Sequence, residues 1–208
     1  VIAPEEITGV ILCGGRASRL AGMEKTLAPA GALPLVAHVR SRLAPQVGAL
    51  MISANQSHAQ YAAWGDPVVA DALPDQGPLG GVLTAMDRIN TPYTFCCPGD
   101  APLLSDRLVA SLAEVLRASG ARAAIPHDGE QTQQLFLLVE TACRDTLRSY
   151  LGEGGRAVMG WLDRLPCAVL DAAAIHDSFL NVNTADDLHD ARRRFTASPT
   201  PTILRDPT

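Results

Sequence analysis

The chain has 208 residues, with 17 basic against 22 acidic side chains and a formal charge of −5. This length suits one domain, and 47% hydrophobic residues with 19% charged ones exclude a disordered tail. A pI near 5.5 argues against broad binding to nucleic acid or acidic membranes, and no apolar run reaches the roughly 18 residues of a membrane helix.

Ile7 to Leu12 is a short apolar, β-branched run closed by Gly14-Gly15, which predicts a buried strand and a turn. Pro34 then opens a helix-period stretch with Leu35, Val39 and Leu43 on one face. Ala49 to Ser53 and Pro67 to Ala70 are the second and third strands. After them come a helix at Leu79 to Ile89 and a fourth strand at Tyr93 to Cys97. Ser105 to Ser119 reads as an amphipathic helix, with Leu108, Leu112 and Val115 inward. Arg122 to Pro126 and Leu135 to Glu140 are strands; Ala142 to Leu151 and Ala157 to Arg164 are helices, and Cys167 to Leu170 is a last short strand. Thr184 and Asp187 form a capping-box pattern ahead of the final helix, whose arginines Arg192 to Arg194 favour the carbonyl end of the dipole. One domain over residues 1–195, followed by a flexible Pro/Thr-rich tail at 196–208, is expected.

The aromatic content is only 4%, so Ala, Leu, Val and Ile must build the core. Cys13, Cys96, Cys97, Cys143 and Cys167 are scattered without a CxxC spacing, which speaks against both a zinc site and a disulfide framework. They read as small buried hydrophobes, with Cys96 and Cys97 on opposite faces of one strand. The opening VIAPEEITG lacks a secretory signal pattern, so a soluble, cytoplasmic protein is expected.

Alternating strands and helices predict an α/β fold with a mainly parallel sheet, in which ligands bind beyond the carboxyl ends of the strands. The residues after each strand are therefore the candidates. After the first come Leu12, Cys13, Gly14 and Gly15, then Arg16, Arg19 and Lys25: glycines that let the backbone approach an anion, followed by cations. The spacing fits neither the ATPase phosphate loop nor the dinucleotide fingerprint. Asn55 follows the second strand and Asp71 the third. Gln76-Gly77-Pro78-Leu79-Gly80-Gly81 leads tightly into a helix whose N-terminus could meet an anion. Asp100, between Pro98 and Pro102 after the fourth strand, is placed to hold Mg²⁺ together with substrate phosphates. Asp75 and Asp177 are weaker carboxylate candidates.

Together these residues resemble the molybdenum cofactor guanylyltransferases. That family's first-loop pattern, roughly LAGGxSxRMGxDK, appears as LCGGRASRLAGMEK from Leu12 to Lys25. Its DxxxxxGPLxG segment is matched from Asp71 to Gly81, its CDxP element by Gly99 to Pro102, and its NxNTPEDL element by Asn181 to Leu188. The likeness runs from about Ile7 to Leu188. Cys13 stands for Ala, Glu24 for Asp and Gly99 for Cys, Met23 alters the loop's rhythm, and the stretch Asp128 to Leu135 lacks a His-Pro pair.

The resemblance implies a three-layer, Rossmann-like nucleotidyltransferase fold of the glycosyltransferase A-like kind, and transfer of GMP from GTP to the phosphate of molybdenum-loaded molybdopterin. Leu12, Cys13, Gly14, Gly15 and Lys25 would bind the nucleotide. Asn55 and Asp71 would hold the guanine nucleoside beside Gly77, Pro78 and Leu79. Asp100 would coordinate Mg²⁺, Arg19 would face the pyrophosphate, and Asn181 and Asn183 would line the pterin side. Catalysis would rest on Arg19, Lys25 and Asp100. The five histidines, His38, His58, His127, His176 and His189, are left to surface or structural roles. The implied partners are GTP, molybdopterin and molybdoenzymes or cofactor-insertion proteins, for a monomer that binds neither nucleic acid nor membrane. The rival readings are a CTP-dependent or sugar-phosphate transferase and a non-catalytic nucleotide-binding module.

Overall fold

The computed structural model describes residues 1–14, 19–20, 23–72 and 76–196. In chain order the elements are β1 (Ile7–Leu12), β2 (Arg19–Leu20), β3 (Met23–Glu24), β4 (Pro29–Ala30), β5 (Leu33–Pro34) and α1 (Leu35–Leu43). Then follow β6 (Ala49–Ser53), α2 (His58–Ala62), β7 (Val68–Val69), α3 (Pro78–Met86), β8 (Tyr93–Pro98) and α4 (Leu108–Ser119). The last part holds β9 (Ala123–His127), β10 (Leu137–Glu140), α5 (Arg144–Gly152), α6 (Val158–Leu162), β11 (Cys167–Asp171) and α7 (Ala185–Thr196).

Seven strands make one sheet in the order β11-β9-β10-β8-β1-β6-β7. Only β10 runs antiparallel to its neighbours, β8 and β9; every other pairing is parallel. The chain thus starts in the middle at β1, builds outward through β6 and β7, and returns to β8 on the other side. That reversal opens a crevice beyond the carboxyl ends of β1 and β8.

The side chains of the strands alternate between two buried layers, as strand geometry requires. Ile7, Ile11, Phe95 and Cys97 pack with Val36 and Val39 of α1 and with Leu108 and Leu112 of α4. Val10 and Cys96 face the other way, onto Leu79 and Val82 of α3, Leu147 of α5 and Trp161 of α6. The neighbouring cysteines therefore do point to opposite faces, and burial pushes the Cys96 thiol up to about 12. Helices on both faces of a mainly parallel sheet give the expected three layers.

The structure shifts several element ends. Ser105 Oγ accepts a bond from the Arg107 N–H, so α4 starts only at Leu108, and its deep residue one turn beyond Leu112 is Leu116 rather than the half-buried Val115. Phe136 closes a turn by donating to the Gln133 carbonyl at 3.0 Å, which delays β10 to Leu137. The two ribbons, β2 with β3 and β4 with β5, have two-residue strands, too short for any periodicity to reveal.

A third, small cluster docks α7. Leu188 and Ala191 bury against Ala28, Ala30 and Leu35. Arg192 donates to the Pro29 carbonyl at 2.9 Å, and Phe195 stacks on His38 with ring centroids 3.7 Å apart. Arg193 pairs with Asp190 and Arg194 with Asp177, so all three arginines of this helix end serve local contacts.

Candidate active site

Beyond Leu12 the backbone bridges both neighbouring strands. The Cys13 N–H donates to the Ser53 carbonyl at 2.7 Å, and the Gly99 N–H donates to the Leu12 carbonyl at 2.9 Å. These bonds hold the start of the glycine-rich loop between β6 and the loop after β8. A Cβ on Gly99 would stand 2.6 Å from Cys13 Sγ, so this close approach depends on glycine. Burial and the surrounding acidic groups push the Cys13 thiol well above its ordinary range, which excludes it as a nucleophile.

On the β6–β7 side lies a cleft of about 440 Å³, a size suited to a nucleoside. Its walls include Leu12, Cys13, Gly14, Asn55, Asp71, Gly77 and Pro78, seven of the residues that the sequence singled out. Asn55 extends the β6–β7 ladder with its side chain: Oδ1 accepts from the Asp71 N–H at 2.7 Å, and Nδ2 donates to Asp71 Oδ2 at 2.9 Å. Thr84 ties this corner to α3, accepting from the Ala72 N–H and donating to the Gly80 carbonyl. The first turn of α3 comes so near β6 that a Cβ on Gly81 would lie 2.5 Å from Ser53 Oγ and 3.0 Å from Asp71 Oδ1. Leu79 is not among the wall residues; its side chain is fully buried in the core.

Five further wall residues had no site role in the sequence: Glu24, Ser53, Ala54, Gln56 and Arg156. Arg156 sits between α5 and α6 and donates to the Leu151 and Gly155 carbonyls. The glycine pair just before it, in GEGGR, was the available signal for a turn carrying a cation.

Beside this cleft, at the carboxyl end of β8, Asp100 is 9% exposed and forms an ion pair with Lys25. Lys25 Nζ also donates to Asn183 Oδ1 at 2.9 Å. The Asp100 carbonyl accepts from the Val182 N–H at 2.9 Å. Three distant segments thus meet at one charge centre, and Asn181 lies exposed just before buried Val182. Asp187 fixes the last of them, accepting from the N–H groups of Asn183 and Thr184, bonds that hold its carboxyl below the usual range. Gly15, Arg16 and Asp75 lie outside the described residues, as does the tail at 197–208, and only the backbone of Arg19 is described. Asp177 pairs with Arg194 and lies 3.0 Å from His176 Nε2.

A nucleoside-sized cleft at the turning point of a parallel sheet, with a lysine–carboxylate centre beside it, defines an α/β nucleotidyltransferase. Residues 9–166 match the family described as the MobA-like NTP transferase domain. The chain belongs to that family. It is 43% identical over 202 residues to a molybdenum cofactor guanylyltransferase of Cupriavidus taiwanensis, covering 92% of this chain and 100% of the relative. It is 39% identical over 206 residues to one of Ralstonia nicotianae, covering 93% and 100%. Among solved structures it resembles molybdopterin-guanine dinucleotide biosynthesis protein A of Archaeoglobus fulgidus, with a TM-score of 0.77 at 20% identity over 92% of this chain and 100% of that one. It also resembles 2-C-methyl-D-erythritol 4-phosphate cytidylyltransferase of Thermus thermophilus, with a TM-score of 0.69 at 16% identity over 90% and 98%. At those identities the structural likeness establishes the fold alone.

Proposed function

We propose that the protein transfers the guanylyl group of GTP to the terminal phosphate of molybdenum-loaded molybdopterin and releases pyrophosphate. The observation that carries this reading is the match along 92 to 93% of the chain to molybdenum cofactor guanylyltransferases. The nucleoside would occupy the cleft, bordered by Leu12, Cys13, Gly14, Asn55, Asp71, Gly77 and Pro78, and Gly15 would join them in binding the nucleotide. Its phosphates would extend toward Lys25 and Asp100, with Arg19 beside the departing pyrophosphate. Asn181 and Asn183 would border the pterin.

An oxygen of the pterin phosphate forms the new bond to the α-phosphorus. The bond from that phosphorus to the β-phosphate oxygen breaks, and the pyrophosphate leaves with the electron pair. A phosphate monoester is already anionic at neutral pH, so no general base has to create the nucleophile; none of the described cleft residues is a histidine. The obstacle is repulsion, about 4 kcal/mol for two unit charges at 4 Å in an effective dielectric near 20. Lys25 lowers it by meeting the phosphates as a point charge, and the cleft fixes the α-phosphate in line.

The donor set also fits a divalent ion of the Mg²⁺ kind. Asp100 offers one carboxylate, and among the described residues no three His, Cys, Asp or Glu side chains gather to hold a metal by themselves. Such a site suits an ion that takes its remaining ligands from phosphates and water. Bound at Asp100, the ion would supply charge neutralisation on the transferring phosphates.

The test is pyrophosphate release from the protein mixed with molybdenum-loaded molybdopterin and GTP, CTP or ATP in turn. Release with GTP, little with the other two, and none from Asp100→Ala is expected. Equal release with CTP would overturn the guanylyl assignment, and full activity in Asp100→Ala would remove that carboxylate from the reaction.

A further inference from the structure

Glu24 has an environment that neither the ion pair at Asp100 nor the Asn55–Asp71 corner explains. It ends β3 and is one of the residues of the cleft wall. Its Oε1 accepts a hydrogen bond from the Tyr61 hydroxyl at 2.8 Å. That hydroxyl meets Thr26 Oγ1 at 2.5 Å, and Tyr61 is completely buried beneath. Burial pushes the Tyr61 phenol far up, which keeps it a donor. The other oxygen, Oε2, is buried and accepts no hydrogen bond from the protein. A buried carboxyl oxygen without a donor is costly, and a core tyrosine that fixes its twin oxygen prevents it from swinging out to water. One oxygen tethered and the other without a partner, in a residue of the cleft wall, describe a pre-organised acceptor.

The ligand's own chemistry narrows the donor. A triphosphate offers no donor at neutral pH and would be repelled by a carboxylate, so the nucleoside end must supply it. We propose that Glu24 Oε2 accepts a hydrogen bond from the bound nucleoside, given by the N1–H and 2-amino edge of guanine or by a ribose hydroxyl. The inference rests on the nucleotidyl-transfer reading above and adds a binding residue to it. Glu24 is set against guanine's donors much as a carboxylate is set against the amino group of cytosine in DNA grooves, while Tyr61 acts as its positioning residue.

The experiment is calorimetric binding of GTP, ITP, 2′-deoxy-GTP and 3′-deoxy-GTP to the full chain and to Glu24→Gln, which keeps an acceptor for Tyr61 and presents an amide where Oε2 stood. GTP affinity is expected to fall about tenfold or more in the variant, the scale of a charged hydrogen bond lost in a buried site. One analogue, ITP for a base contact or a deoxy nucleotide for a ribose contact, should bind the parent more weakly than GTP and the variant equally. Unchanged GTP affinity, or the same analogue-to-GTP ratios in parent and variant, overturns the proposal. Glu24→Asp, which keeps the charge and withdraws the oxygens by one methylene, should move the ratio in the same direction if Glu24→Gln fails to fold. A parent protein that prefers CTP would instead sink the guanylyl assignment, and the deoxy arms then run on CTP and its analogues.

Discussion

At the scale of single residues, Cys13 and Gly99 look like two departures from the family pattern, which has Ala and Cys there. The structure makes them one exchange across a contact. A side chain on Gly99 would collide with Cys13 Sγ and come within 3.1 Å of Thr26 Cγ2, so the contact holds one sulfur at a time. Gly99→Cys should therefore overpack the seam between the two loops and cost about 1–3 kcal/mol of stability. Adding Cys13→Ala should recover most of that loss, as a double-mutant cycle of urea midpoints will measure; strictly additive losses would contradict the exchange. The residues readable in the sequence were those in contiguous motifs after strands: Leu12 to Gly14, Asn55, Asp71, Gly77 and Asp100. Glu24, Ser53 and Arg156 were not readable as cleft residues, because each gains that position from tertiary neighbours. Leu79 lies inside a motif, yet helix geometry turns its side chain into the core.

At the scale of elements, α7 is both a packing element and a support for the charge centre. Its start is fixed by reciprocal bonds. The Asp187 N–H donates to Thr184 Oγ1 at 3.1 Å, and the Asp187 carboxyl accepts from the Asn183 and Thr184 backbones. The sequence showed this capping box, because its chemistry is local. It could not show that Asn183 then meets Lys25, 158 residues away. Thr184→Ala should cost about 1 kcal/mol of stability, a typical loss for a cap. Because the same turn anchors Asn183, proposed to border the pterin, the variant should lose more affinity for the pterin substrate than for GTP. Titrations of the two ligands will separate these effects, and equal weakening of both would refute the local anchoring. Element ends were the least legible feature, since the Ser105 turn and the Gln133–Phe136 turn trim α4 and β10 by contacts that periodicity does not encode.

At the scale of the whole molecule, alternation of strands and helices disclosed a layered α/β protein, but the antiparallel β10 was hidden. A strand buried on both faces has the same composition in either direction. The docking of α7 onto the β4–β5 ribbon and α1 carries a pH dependence. His38 is 5% exposed, its Nε2 lies 2.7 Å from the Ala30 carbonyl, and its ring stacks on Phe195. Burial foremost, with the nearby Arg42 cation, holds its pKa below the ordinary 6.5. As pH falls, the unfolded chain takes up this proton before the folded one does. Stability from the neutral ring is thus whole above about pH 6.5 and erodes from there down through the folded value. His38→Phe should be less stable at pH 7.5 but lose less between pH 7.5 and 5.5 than the parent, as urea midpoints at both values will test. An equal or larger loss in the variant would remove His38 as the source. The clasp between residues 182–183 and the Asp100–Lys25 centre has a further consequence for biosynthesis. Most residues of the cleft wall are synthesised long before Asn183. The contact between Lys25 and Asn183 is therefore among the last parts of this region that synthesis completes.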